Sequence, residues 1–231
     1  MEEAQDVLVE CDAVIFDLDG VLIDSSAVIE RHWRAWAKKH GLDLDMVMRH
    51  AHGRRTIETM QIAAPGLDVE AEARLYEQME AEDVDGVKAI AGADVLLQSL
   101  PVDSWAIATS GTRPLATARL KHAGLPVPRT FITADDVLHG KPHPEPYLAA
   151  MRGLSMTAGR CLVFEDAPAG LQAAHAAGMR AVAVASTHPA AELGLSVLVA
   201  ERLSDIKVYP GSESRLIVWV GMGLKAGAEI R

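Results

Sequence analysis

Acidic, hydroxyl and amine side chains stand directly after several apolar runs of this 231-residue chain. Two carboxylates, Asp17 and Asp19, follow the apolar run 13–16, and the chain then turns at Gly20. Ligands bind beyond the carboxyl ends of the strands in parallel sheets, so such groups are predicted to share one rim. The corresponding groups of later segments are Thr109, Ser110, Lys141, Glu165 and Asp166.

The types of these side chains indicate phosphate chemistry. Acids clustered in a buried site repel one another unless a cation lies between them, and carboxylate oxygens suit a hard ion such as Mg²⁺. A carboxylate can also act as a nucleophile and form an aspartyl-phosphate, while positive groups screen the charge of the phosphoryl group. An isolated Asp-x-Asp is usually a turn, but the order Asp-x-Asp, Thr, Lys, Glu-Asp is hard to produce by chance.

The elements that must position these groups are short β-branched runs that alternate with Ala/Leu-rich segments of helical spacing. Such alternation predicts right-handed βαβ crossovers and an α/β fold with a doubly wound, mostly parallel, Rossmann-like sheet. The predicted strands are 13–16, 105–108, 130–133, 161–164, 181–185 and 197–199, with a terminal β segment at 216–224. The predicted helices are 92–100, 113–123, 144–153, 168–177 and 189–193.

One interval breaks the alternation, because no convincing strand occurs between the first strand and residue 105. Ile29, Trp33, Trp36 and His40 have helical spacing, and Gly41 ends the pattern. Eight acids lie between residues 68 and 85 against one Arg, a run typical of a solvated helix face. We therefore expect a helical insert at 26–88, and a core formed by 1–25 and 89–231.

Composition and charge narrow the classes of partner. The chain carries 22 Lys and Arg against 32 Asp and Glu, a formal net charge of −10. A surface of this sign repels nucleic acid and anionic lipid, although a small anionic substrate, such as the small phosphorylated metabolite that the site indicates, could still be held locally. The acidic N-terminus does not resemble a signal peptide, and Cys11 and Cys161 lie in apolar runs rather than in a metal or disulfide pattern. We expect a cytoplasmic protein without nucleic acid or membrane partners; the oligomeric state is not indicated.

Four segments carry a family resemblance that covers nearly the whole chain. The segments FDLDGVLIDS, ATSG, GKPHPEPY and FEDAPAGLQAA resemble the four motifs of the haloacid dehalogenase-like superfamily. The resemblance is to the sugar-phosphatase and β-phosphoglucomutase branch, whose members carry a helical cap. It implies a Mg²⁺-dependent phosphatase that hydrolyses a small phosphorylated sugar or polyol through an aspartyl-phosphate. The insert at 26–88 then corresponds to the cap.

The resemblance also implies a role for each motif residue. Asp17 is the expected nucleophile, and Asp19 is the expected acid and base that also offers its backbone carbonyl to Mg²⁺. Asp17, Glu165 and Asp166 provide the other expected metal ligands. The expected phosphate-binding residues of the core are Gly20, Thr109, Ser110 and Lys141.

Gly53, Arg54 and Arg55 form the candidate substrate contact of the cap. Glycine permits a tight projection of the loop, and an Arg fork can bind substrate hydroxyls or phosphate. A surface charge or a salt bridge between cap and core is an equally good interpretation for either Arg alone.

Two other functions remain open at this stage. The first is a phosphosugar mutase of the β-phosphoglucomutase type, which uses the same core. His32 falls three residues late for the histidine of that branch, where this chain has Ile29, and this favours hydrolysis. The second is a signalling receiver module with a phosphorylatable Asp, but a receiver needs neither a second catalytic acid such as Asp19 nor a helical insert.

Overall fold

A computed structural model describes residues 7–212 and 215–221 of the chain. Its strands are β1 (Val7–Cys11), β2 (Ala13–Phe16), β3 (Ile23–Asp24), β4 (Lys88–Ala89), β5 (Trp105–Ala108), β6 (Thr130–Ile132), β7 (Cys161–Glu165), β8 (Arg180–Val184), β9 (Leu198–Ala200), β10 (Ile206–Pro210) and β11 (Leu216–Val220). Its α-helices are α1 (Ser26–His40), α2 (Leu44–Ala51), α3 (Thr56–Ala63), α4 (Val69–Glu82), α5 (Ala93–Gln98), α6 (Arg113–His122), α7 (Glu145–Gly153) and α8 (Pro168–Ala176). None of the helices in the described ranges is both long and apolar enough to cross a bilayer.

Six parallel strands form the central sheet, in the order β6-β5-β2-β7-β8-β9. Side chains alternate across β2, so Val14 and Phe16 pack with α5 and α6 while Ala13 and Ile15 pack with α7 and α8. Both faces of the sheet are therefore covered by helices, which explains why its strands are apolar without a polar alternation. The predicted α/β, doubly wound fold is confirmed.

A second, three-stranded antiparallel sheet joins the two ends of the described chain, with the order β1-β11-β10. The predicted terminal β segment is present as β11, whereas residues 222–224 of that prediction lie outside the described residues. Strands β1 and β10 were not predicted, because exposed polar residues interrupt their short apolar patterns. The helix predicted at 189–193 is wrong, since only a short 3₁₀ turn forms there, at Ala190–Glu192.

Helices α1 to α4 lie between β3 and β4, and we refer to residues 26–88 as the cap. Strands β3 and β4 were too short to be predicted from the sequence, and they pair antiparallel where the chain leaves and re-enters the core. The cap helices bury an apolar cluster of their own that includes Trp33, Trp36, Val47 and Met60. This cluster is separate from the core of the sheet, which receives only Val28 and Val87 from the described residues of the cap, and the ribbon of β3 and β4 connects cap and core.

Helix α4 differs from the expected solvated acidic face. Its buried side carries Ala73, Tyr76 and Glu80, whereas Leu75 and Met79 are about half exposed. The helix packs against α6 of the core, where Glu80 meets Arg119, while Val69, Ala73 and Tyr76 pack into the apolar cluster of the cap helices. Glu80 is only 5% exposed, and the interpretation of the whole acidic run as solvated is wrong at this residue.

The packing of the central sheet leads to a stability prediction. Leu162 lies in β7 and is completely buried, whereas Leu138 is 80% exposed. Leu162→Ala should lower the free energy of unfolding by about 2–5 kcal/mol, because it removes buried methyl groups and leaves a cavity. Leu138→Ala, the control, should change it by less than about 0.5 kcal/mol. Denaturant titration of both variants checks this, and equal effects would contradict the described packing.

Candidate active site

The carboxyl ends of three adjacent strands bring the sequence motifs together. In the order β5-β2-β7, Thr109 follows the first strand, Asp17 and Asp19 follow the second, and Asp166 follows the third. The backbone N–H of Asp17 donates to the carbonyl of Phe164 at 2.9 Å, which links the end of β2 to β7. The rim that the sequence predicts is therefore formed by neighbouring strands.

A buried lysine connects two of the acids. Lys141 is completely buried, and its Nζ lies 2.7 Å from Asp17 Oδ1 and 2.7 Å from Glu165 Oε1. Burial alone disfavours the ammonium, but Asp17 and Glu165 outweigh that effect and raise the pKa of Lys141. Lys141 is therefore a fixed positive charge that holds the Asp17 carboxylate in place.

Every oxygen of Glu165 has a hydrogen-bond partner within the protein. Oε1 accepts from Lys141 and, at 2.8 Å, from the hydroxyl of Tyr147, while Oε2 accepts from the backbone N–H groups of Asp166 and Ala167. A Cβ at Gly170 would lie 1.7 Å from Glu165 Oε1, so only glycine leaves room for this arrangement. These contacts make Glu165 a positioning group for Lys141 and for the turn after β7.

Asp166 has an available oxygen. Thr187 donates its hydroxyl to Asp166 Oδ2, but Asp166 Oδ1 is buried and has no hydrogen-bond partner among the described residues. Burial raises the pKa of this carboxyl well above its usual range, and the charges of Glu165 and Asp17 raise it further. A further positive charge beside Asp166, in addition to Lys141, would stabilise its ionised form.

The acids at this rim fit a metal ion. One ligand oxygen from each of Asp17, Glu165 and Asp166 lies within 4.8 Å of the others, and all three side chains are buried. Lys141 balances only one of the three carboxylates, so a divalent cation would relieve the remaining repulsion. Burial likewise raises the pKa of Asp17 to about 7, although Lys141 opposes the shift. Among the described residues this is the group that could hold a metal ion.

Asp19 is oriented by two neighbours. Ser25 donates its hydroxyl to Asp19 Oδ1 at 2.7 Å, and Arg119 Nη1 lies 2.8 Å from Asp19 Oδ2. The intervening turn at Gly20 has a φ of 81°, and a Cβ there would lie 2.1 Å from Asp166 Oδ2. Gly20 therefore leaves the space that the Asp166 carboxylate occupies.

The turn after β5 contacts both the site and the cap. Thr109 is buried and accepts a hydrogen bond from the backbone N–H of Gly111 at 3.2 Å. Ser110 donates its hydroxyl to the carbonyl of Gly53 at 2.9 Å, which places the cap loop directly above the rim. A Cβ at Gly53 would lie 2.8 Å from that of Ala167, so glycine permits this close approach.

The two cap arginines have different surroundings. Arg54 lines the cleft together with Asp17 and Thr109. The guanidinium of Arg55 instead pairs with Glu58 at 2.5 Å and donates to the core carbonyl of Leu138 at 3.0 Å. Arg55 therefore forms a salt bridge within the cap and a hydrogen bond from cap to core, rather than the salt bridge between cap and core that was considered for it. Arg54 remains at the cleft.

Several polar residues of the cleft were not predicted from the sequence. Tyr76 and Glu80 of α4 and Arg119 of α6 line it, and Tyr147 supports Glu165 from below. Arg119 follows Leu115 by one helical turn on the buried face of α6, and an Arg at a core-facing position was the available signal.

The cleft between cap and core is nearly closed. Its volume is about 60 Å³, roughly two water molecules. The floor consists of the rim residues, and the roof includes the apolar side chains of Ile29 and Trp33. A phosphorylated sugar exceeds this volume, and we expect the cleft between cap and core to widen when substrate binds.

Known proteins similar in sequence to this chain include hydrolases that are named as phosphatases or phosphohydrolases. The family model for haloacid dehalogenase-like hydrolase matches residues 14–184. Hexitol phosphatase A of Escherichia coli is 40% identical over 213 residues, which are 90% of this chain and 99% of the relative. Glycerol-1-phosphate phosphohydrolase 2 of Saccharomyces cerevisiae is 38% identical over 190 residues, which are 76% of this chain and 75% of the relative.

Solved structures agree with this assignment. A putative β-phosphoglucomutase from Bacteroides vulgatus superposes with a TM-score of 0.70 at 29% identity, covering 84% of each chain. A hydrolase from Pseudomonas syringae gives a TM-score of 0.71 at 28% identity, covering 84% of this chain and 94% of that one. With its motif residues gathered at one rim beneath four inserted helices, the chain belongs to the haloacid dehalogenase-like hydrolase family.

Proposed function

We propose that the protein is a Mg²⁺-dependent phosphatase that hydrolyses a small phosphorylated sugar or polyol through an aspartyl-phosphate. The observation that carries the proposal is the pairing of the buried Asp17 carboxylate with Lys141 beside the unpartnered oxygen of Asp166. The relatives named as phosphatases of hexitol and glycerol phosphates support the reaction and the substrate class.

The first half of the reaction transfers the phosphoryl group to the protein. Lys141 holds Asp17 Oδ1, which leaves the second oxygen of that carboxylate free to attack phosphorus. Asp19 donates a proton to the ester oxygen as its bond to phosphorus breaks, so the alcohol leaves neutral. The third N–H of Lys141 and the hydroxyl of Thr109 are available to donate to phosphoryl oxygens.

The second half regenerates the carboxylate. Water attacks the phosphorus of the aspartyl-phosphate, Asp19 accepts its proton, and inorganic phosphate leaves from Asp17. Ser25 and Arg119 keep the Asp19 carboxylate at the cleft during both steps. Bound Mg²⁺, held by Asp17, Asp166 and the backbone carbonyl of Asp19 with Glu165 behind them, would neutralise charge on the phosphoryl group.

The other functions fit these observations less well. The family match favours a hydrolase over a signalling receiver. Mutase chemistry shares the core residues, so the distinction rests on the cap, where Ile29 lines the cleft and His32 is paired with Asp83 at 3.0 Å. We infer that β-glucose 1-phosphate, even with the bisphosphate added, yields phosphate or no product; rapid formation of glucose 6-phosphate would overturn this.

The nucleophile can be tested with an isosteric variant. Asp17→Asn keeps the shape of the side chain but removes the attacking carboxylate, so phosphate release should fall about a thousandfold or more. The control is Asp103→Asn, since Asp103 is exposed, pairs with Arg129 and does not line the cleft, and it should keep wild-type turnover. Substantial turnover by Asp17→Asn would refute the assignment.

Metal binding should depend on pH with a defined sign. Below the pKa of about 7, Asp17 holds a proton in the metal-free protein, and Mg²⁺ must displace it. The apparent affinity for Mg²⁺ should therefore fall by up to about tenfold per pH unit below pH 7. Calorimetric titrations at pH 6, 7 and 8 measure this, and an affinity independent of pH would contradict it.

Activity provides the second measurement on the metal. Excess chelator should abolish phosphate release, and added Mg²⁺ should restore it. Asp166→Asn should weaken this rescue, because it removes one of the expected ligands. Full activity in excess chelator would be incompatible with the proposal.

The arginines of the cap loop form a matched pair. Arg54→Ala should raise KM for a sugar or polyol phosphate several-fold more than for an aryl phosphate, because Arg54 lines the cleft. Arg55→Ala should instead lower the free energy of unfolding by about 1–2 kcal/mol, through the lost contacts to Glu58 and Leu138, with a smaller effect on KM. Steady-state kinetics and denaturant titration separate the two, and equal KM effects on both substrates would exclude Arg54 as a substrate contact.

A further inference from the structure

Three polar side chains line the cleft beside Asp19. Arg119 is 3% exposed, Glu80 5% and Tyr76 6%, so all three are almost removed from solvent. Arg119 belongs to α6 of the core, whereas Tyr76 and Glu80 lie one turn apart on α4 of the cap. The group therefore spans the boundary between cap and core.

The hydrogen bonding of this group is incomplete. Arg119 Nη2 lies 2.9 Å from Glu80 Oε1, but the two atoms are not aligned as a hydrogen bond. Arg119 Nε and the Tyr76 hydroxyl also lack a hydrogen-bond partner within residues 7–212 and 215–221. Buried polar atoms in native proteins are nearly always hydrogen-bonded, so Arg119 Nε and the Tyr76 hydroxyl, beside one cavity and next to a buried ion pair, point to a polar ligand.

The position of these atoms relative to the nucleophile identifies which part of a substrate reaches them. Asp17 receives the phosphoryl group, and Asp19 faces the ester oxygen that leaves. Arg119 links Asp19 to the cap, since its Nη1 lies 2.8 Å from Asp19 Oδ2 and its Nη2 lies 2.9 Å from Glu80 Oε1. A carbon chain attached to the ester oxygen at Asp19 is therefore within the cleft that Tyr76, Glu80 and Arg119 line.

The chemistry of the three groups suits neutral hydroxyls. A carboxylate accepts hydrogen bonds, a guanidinium donates them, and a phenol does both, so together they can bind adjacent hydroxyls of a polyol. Trp33 and Ile29 line the same cleft and offer apolar contact to the carbon backbone. Arg119 is already balanced by Asp19 and Glu80, so these three side chains, unlike Arg54 elsewhere in the cleft, offer no free cation to a second phosphoryl group.

We propose that Tyr76, Glu80 and Arg119 form a subsite that binds the hydroxyl groups of the substrate's polyol chain and rejects a second phosphoryl group. This inference rests on the proposed phosphatase function and adds the residues that select its substrate. Arg119 also orients Asp19, so the two cap residues are the ones to vary.

Tyr76→Phe is the cleanest test. The hydroxyl that it removes has no partner within the described part of the chain, so the melting temperature should not fall. The kcat/KM for mannitol 1-phosphate should drop about three- to tenfold, whereas that for phenyl phosphate, which has no hydroxyls, should stay within twofold. An equal drop for both substrates, or no drop for either, would overturn the proposal.

Glu80→Gln tests the charged member, with Glu70→Gln as its control. Glu70 lies on the same helix, is exposed, and pairs with Arg74, so its variant should behave as wild type. Glu80→Gln should lower kcat/KM for mannitol 1-phosphate about tenfold or more, with phenyl phosphate much less affected. If Glu80→Gln fails to fold, Tyr76→Phe alone decides between support and refutation.

The proposed rejection of a second phosphoryl group is tested by comparing kcat/KM for a monophosphate and a bisphosphate. Wild-type protein should prefer mannitol 1-phosphate over mannitol 1,6-bisphosphate by about tenfold or more in kcat/KM, and Glu80→Gln should narrow that ratio. Equal use of both substrates by the wild type would overturn this part. A wild type inactive on phenyl phosphate as well would instead refute the phosphatase function, whereas an active wild type with unselective variants refutes only the subsite.

Discussion

The charge imbalance around Lys141 is the constraint on which the site depends. Three buried carboxylates, Asp17, Glu165 and Asp166, share a single buried ammonium. Such a cluster is unfavourable by itself, because desolvated like charges repel strongly. The sheet tolerates it since each acid is fixed by backbone or side-chain donors, and the remaining negative charge is what a divalent cation and a phosphoryl group require.

Several local features of the chain follow from packing these groups so closely. Gly170 leaves space for the Glu165 carboxylate, and Gly20 leaves space for Asp166. The ring of Tyr147 is buried in the apolar core, and its hydroxyl donates to Glu165. Replacing any of these residues would act on the nucleophile through Lys141 or the metal ligands, so their contribution is to positioning rather than to chemistry.

The sequence was sufficient to predict the motif residues of the core but not the buried residues that the cap contributes. Asp17, Thr109, Lys141 and Asp166 follow regular elements, and parallel strands necessarily bring their carboxyl ends to one edge, so local patterns determine a long-range cluster. Glu80 shows the opposite case, because its burial depends on how α4 docks against α6, and no periodicity of α4 encodes that partner. The different surroundings of Arg54 and Arg55 also depend on how the cap docks on the core, which the sequence of the cap loop does not encode. The short strands β1 and β10 were missed because pairing with β11, rather than their own pattern, stabilises them.

Cap and core meet through polar contacts, and this has a consequence for how the cleft opens. Ser110 donates to Gly53, Arg55 donates to Leu138, and Arg119 faces Glu80 across the boundary. Water can replace each of these contacts at modest cost, whereas an apolar interface of the same size would resist separation. The cap also keeps its own apolar cluster, so it can move on the ribbon of β3 and β4 without exposing its interior. A cleft of about 60 Å³ that is closed by exchangeable hydrogen bonds therefore combines exclusion of water during phosphoryl transfer with access for a larger substrate.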